Sequence, residues 1–213
     1  TRGKSELTNN LDNKTSGLDK DYATSWSYGI AETFTLLIPN FYGGASQGEL
    51  NTDSETYQAI RRAPNAKQLI KNLPLYFGDQ PFTSGPTYAG AIVIFLFVLG
   101  IFFISSTMRV WLLLATLLSI MLAWGKNFMP LTEFFLDYFP GYNKFRAVSM
   151  ILVIAEFTLP LLGFLALNKF LISDINDNEK KKPLKMAFYI TGSIALLFSI
   201  GLAFPIINTF VDL

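Results

Sequence analysis

The sequence predicts an all-α membrane protein with four transmembrane helices and an extracytoplasmic region of short helices and loops. Three observations carry this. Hydrophobic residues make up 51% of the chain and charged residues only 15%, well below the charge of an ordinary soluble domain. The apolar residues are concentrated: 88–105, 110–125 and 186–211 contain no Asp, Glu, Lys or Arg, and 147–168 contains only Glu156. A helix rises about 1.5 Å per residue and the hydrocarbon core is about 30 Å thick, so about 20 residues cross it. Each run reaches or approaches that length. The expected spans are about 87–106, 109–126, 147–169 and 186–207. The chain thus divides into an outer region, 1–85, and a membrane region, 86–213, with an interfacial or re-entrant segment at 127–146.

The elements follow in order. Residues 1–21 are polar and rich in Asn, Lys and Asp, the composition of a surface loop. Ile30, Phe34, Leu37 and Ile38 recur at helical spacing before Pro39 and the Gly43-Gly44 pair. That helix is too short to span and reads as one lying on the membrane face. "SETYQAIRRAPNAKQLIKNL" gives two short helices broken at Pro64, and "PLYFGDQPFTSGPTY" a Pro/Gly-rich loop leading to the first span. Between the second and third spans, Leu131, Phe134, Phe135 and Tyr138 share one helical face while Glu133 and Asp137 stack on another. Pro130 suits the first turn and Pro140-Gly141 ends the helix. Its aromatics belong in the headgroup layer. No internal repeat is present.

Orientation follows from the loops. Arg109 lies between the first two spans, and Lys180, Lys181, Lys182 and Lys185 between the last two. Short loops rich in Lys and Arg stay cytoplasmic, so residues 1–85 lie outside, multi-pass in a cytoplasmic membrane. The opening "TRGKSEL" has no signal-peptide pattern, and an outer segment of this kind leads to the expectation of an upstream helix: a piece of a larger polytopic chain.

Composition also bounds the chemistry. A net charge of +1 gives no basic excess for nucleic acid. With no Cys there is no disulfide framework or thiolate site, and with no His the commonest general base and zinc ligand are missing. No metal site is expected from these residues. Chemistry would run on Asp, Glu, Lys, Arg, Tyr or a bound ion. Lys144 and Arg146 sit at the outer mouth of the third span, facing lipid phosphates or one particular phosphate, or serving as plain interfacial anchors. Glu32 precedes the short outer apolar helix, and Asp79 sits in the turn "FGDQPF", where Asp commonly bonds its own backbone. Glu156 lies within the third span, where an ionisable group is expensive and so is paired or functional. Trp26 and Tyr28 are aromatic surfaces on which a sugar could stack.

The combination of "TFTLLIPNFYGG" (33–44), "YFGDQPFTSGPTYAGA" (76–91) and "FPGYNKFRAVSM" (139–150) resembles the YfhO-type bacterial polytopic membrane proteins. These resemble the GT-C class of glycosyltransferases, so the resemblance implies a GT-C-like bundle in the bacterial inner membrane. It implies sugar transfer from a polyprenyl-phosphate carrier to a cell-envelope acceptor on the outer face. An acidic side chain would act as base on the acceptor hydroxyl. Arg146, assisted by Lys144, would stabilise the departing phosphate. Many relatives continue after this Arg with Pro and Arg where this chain has Val148 and Met150. The class usually keeps its acid in the first outer loop, which would precede Thr1; within this chain Glu32 and Asp79 are the options. The partners implied are the bilayer, the lipid-linked sugar and the rest of the same polypeptide. The cofactor stays open, a divalent cation included. Two other classes fit the residues: a lipid-linked-sugar flippase or proton-coupled carrier using Glu156, and a non-catalytic envelope-assembly scaffold.

Overall fold

The computed structural model describes residues 20–85, 87–144, 147–172 and 176–198. Among these the chain is mostly helical with no strands, only two isolated bridges, Gly43 with Tyr76 and Gly48 with Leu73. The α-helices are α1 (Lys20–Ala23), α2 (Glu55–Ile60), α3 (Ala66–Asn72), α4 (Ala91–Phe103), α5 (Thr107–Ala123), α6 (Met129–Tyr138), α7 (Leu152–Ile172) and α8 (Asp177–Leu197). They fall into two units. The first holds Thr1–Thr35, Asn40–Thr87 and Ser119–Leu152, the second Leu36–Pro39, Tyr88–Leu118 and Val153–Leu213.

In the first unit, the expected helix at Ile30–Ile38 is reduced to a 3-10 turn, Ala31–Leu36, because Pro39 follows too closely for a longer helix to form. The pair of short helices flanking Pro64 is present as α2 and α3. Ser54 caps α2 by accepting from Tyr57 N at 3.1 Å. The chain turns by 113° between α5 and α6, and Gly125 takes φ 48° at the break. α6 begins with Pro130 in its first turn, and after its end Gly141 adopts φ 83°. The face expected to carry its aromatics is divided, and a different stripe is buried. Thr132 and Leu136 are buried, Leu131 and Phe135 half-buried, and Phe134 and Tyr138 exposed. The Thr132 hydroxyl donates to Gly125 O at 2.9 Å, which rotates the helix so that Thr132 turns inward. Leu136, Tyr142, Val148, Leu122 and Ala23 form the core beneath it.

In the second unit α4 packs against α7 and α8. A methyl group in place of the Gly100 hydrogen would stand 2.7 Å from Leu162 Cγ, and one at Gly163 would stand 3.0 Å from Leu96 Cβ. These two glycines let the backbones of α4 and α7 approach closely. The buried hydroxyls of Thr116 on α5 and Thr158 on α7 lie 2.7 Å apart. One end of the unit collects cations. Arg109 donates to Ile101 O at 3.0 Å and Lys169 to Phe103 O at 2.9 Å, both capping the last carbonyls of α4. Lys169 also lies 5.0 Å over the Phe103 ring, and Lys180 lies 5.5 Å over Phe170.

The spans are met only in part. Among the described residues one helix, Val148–Ile172, is long and apolar enough to cross a membrane, or two if the bent pair of α5 with α6 counts as one span. α4 has 13 residues and α5 17. At about 1.5 Å per residue these fall short of about 30 Å. α8 starts at Asp177, nine positions before the expected 186. Asn176 caps it by accepting from Asn178 N, and the lysines that follow are good helix formers. Residues beyond 198 lie outside the described part.

Candidate functional site

The first unit gathers polar side chains where three loops meet: 27–35, 76–80 and the break between α5 and α6. Ser27 and Tyr28 run back over the end of α5. Tyr28 N donates to Ala123 O at 2.8 Å and Lys126 N to Ser27 Oγ at 2.8 Å, while the Trp124 indole donates to Thr33 Oγ1 at 2.9 Å. These bonds fix the segment that carries Glu32.

Glu32 is 2% exposed. Gly29 N donates to its Oε2 at 2.5 Å and the Tyr76 hydroxyl donates to its Oε1. Tyr76 in turn accepts from Gln80 N at 3.0 Å, closing the 76–80 loop on itself. Burial, then the hydrogen bond to Glu32, push the Tyr76 phenol far above its ordinary range, so it stays a donor. Tyr42 is also raised, by burial first and then by the charges of Glu32 and Asp79. Asp79 is exposed, and its Oδ2 accepts from Asn127 Nδ2 at 2.9 Å. Asn127 donates also to Tyr28 O at 3.0 Å. A methyl group on Gly29 would stand 3.0 Å from Glu32 Oε2 and 3.3 Å from Asp79 Oδ2. The two carboxylates therefore converge over one glycine, one buried and bonded, the other open to solvent.

Glu32 and Asp79, separated by more than forty positions in sequence, thus come together. Glu32 is buried beneath the 76–80 loop. The expectation for Asp79 changes: it bonds the Asn127 side chain in place of its own backbone. Tyr28 is 2% exposed, its hydroxyl bonded to Thr35 Oγ1. It is closed to a stacking sugar, a correction imposed by its packing against the end of α5. Trp26 remains half-exposed, edge-on to Phe82 at 5.1 Å. Glu133 and Asp137 each lie 3.5 Å from Lys20, tying α1 to α6. Lys144 is exposed at the end of the 3-10 turn Tyr142–Lys144, and Arg146 lies outside the described residues. Glu156 is exposed on α7, in the second unit. Among the described residues no three Asp, Glu, Cys or His side chains gather into a group that could hold a metal.

Tyr76, Tyr42 and Asn127 were not singled out from sequence. Tyr76 takes part through the bond from Gln80 N to its hydroxyl, which closes the "YFGDQ" turn and shows only in the folded chain. Asn127 follows Lys126 in a segment otherwise read for its aromatics, and nothing local marks it. No protein-family model, curated protein or solved structure matches the chain.

Proposed function

We propose that the chain is part of a multi-pass bacterial inner-membrane enzyme that transfers a sugar from a polyprenyl-phosphate carrier to a cell-envelope acceptor on the outer face. The convergence of Asp79 and Glu32 is the observation that carries this reading. Asp79 has the exposure a base needs to meet a hydroxyl, and Glu32 is a positioning residue that holds the loops carrying it. In the reaction the acceptor oxygen attacks the anomeric carbon as the bond from that carbon to the phosphate oxygen breaks. The acceptor proton passes to the Asp79 carboxylate, and the phosphate leaves with the bonding electrons. Lys144 and Arg146 are the cations assigned to that developing charge.

The four spans and the outer placement of residues 1–85 belong to the same proposal. Support comes from large apolar side chains that face outward, among them Trp111 at 68%, Phe157 at 67% and Phe188 at 66% exposed, a surface ill suited to water. Arg109, Lys169 and Lys180 gather at one end of the second unit, as expected of a cytoplasmic side. Exposed Phe134, Tyr138 and Phe139 on and after α6 suit a headgroup layer.

The test is transfer of labelled sugar from purified polyprenyl-phosphate donor in membranes containing the full-length protein. Asp79→Asn removes the base and is expected to lower the rate about 10²- to 10⁴-fold, and Arg146→Ala to abolish transfer while insertion is unchanged. Full activity in Asp79→Asn would refute the assignment of the base.

A further inference from the structure

The second unit carries a polar group that the transfer chemistry does not use. Glu156 is exposed on α7, about 12 Å along the helix from Val148. Around it, at helical spacing, stand Val153 at 62% exposed, Pro160, and Phe164 at 60%, with Phe157 at 67% beside them. Among the described residues no side chain bonds or pairs with Glu156. The same turn holds a second acceptor. Pro160 lies inside the helix and has no N–H, so the carbonyl of Glu156, four residues earlier, lacks its usual helical donor. A carboxylate and an under-bonded carbonyl thus occur together on an otherwise apolar face.

Lipid cannot satisfy either group, since it offers no donors at that depth. Another copy of α7 fits no better: its corresponding face offers Val153, Phe157, Pro160 and Phe164 and would bring two carboxylates together. A single cationic side chain with several N–H groups answers both acceptors at once. We propose that this face of α7 is the docking surface for another membrane-spanning helix, one that presents an arginine or lysine to the Glu156 carboxylate and carbonyl. The inference rests on the membrane placement proposed above and is independent of the transfer chemistry.

Photo-crosslinking tests it in native membranes containing the full-length protein. A benzophenone analogue replaces Phe157, which is exposed and beside Glu156. The expected product is an adduct with a peptide that carries Arg or Lys within one helical turn of the crosslinked residue. Glu156→Lys should reduce the adduct at least tenfold, and changing the partner's cation to Glu in that background should restore it. An adduct with lipid alone, with α7 of a second copy, or with a peptide lacking a nearby cation would overturn the proposal. A parallel Phe157→Cys variant separates the membrane placement from the helix interface. Modification by a membrane-impermeant thiol reagent from either side would sink the membrane placement itself, whereas protection together with a lipid adduct would sink only the interface.

Discussion

Both carboxylate oxygens of Glu32 are bonded to donors of the protein itself, Gly29 N and the Tyr76 hydroxyl. Glu32→Gln would set an amide NH₂ against one of these donors in a buried site. A donor facing a donor without water costs about 1–3 kcal/mol, and chemical denaturation should show a loss of that order. Asp79→Asn is exposed and should leave stability nearly unchanged, so the pair separates positioning from chemistry. Tyr142 makes the opposite case. Its hydroxyl is buried with no hydrogen-bond partner among the described residues, and burial raises its pKa from 10.0 to about 12. Tyr142→Phe should therefore keep or raise stability, by up to about 1 kcal/mol. The pH dependence has a definite sign. The unfolded chain releases this proton near pH 10 and the folded one only near 12, so stability is lost as pH rises through that window. Alkaline unfolding followed between pH 9 and 12 should show the loss in the native sequence and a smaller one in Tyr142→Phe.

Among the elements, the helices packed through glycine give the sharpest contrast. Gly100 meets Leu162 on α7, whereas a methyl group at Gly192 on α8 would meet nothing within 4 Å. Gly100→Ala must push Leu162 aside and is expected to destabilise by about 1–3 kcal/mol. Gly192→Ala only removes backbone freedom in a helix and should stabilise by up to about 1 kcal/mol. Thermal unfolding in one detergent or lipid would order the two variants. Elements with strong local signals were readable from sequence: α2 and α3 around Pro64, and α6 between Pro130 and Pro140. Their limits come from proline geometry, which is local. The buried face of α6 was not readable, because the Thr132 bond to Gly125 O depends on a backbone break. Neither was the start of α8, since charge marks a loop in a hydropathy profile while lysine disfavours no helix. The candidate site was half legible for the same reason. Glu32 and Asp79 could be picked as rare acids among apolar neighbours, but their meeting over Gly29 depends on tertiary contacts through Tyr76 and Asn127.

For the whole molecule, the proposed membrane placement has the outward apolar faces of α5, α7 and α8 meet lipid and one end of the second unit meet the cytoplasm. The sequence itself supplies a clean way to examine this. It contains no cysteine, so within these residues each introduced cysteine is a unique label. The most direct measurement pairs Lys67→Cys on α3 with Lys182→Cys on α8 in intact cells, using a membrane-impermeant maleimide. Labelling of position 67 in intact cells, and of position 182 only after the membrane is permeabilised, is the predicted result. Labelling of position 182 from outside, or equal access to both before permeabilisation, would contradict the account.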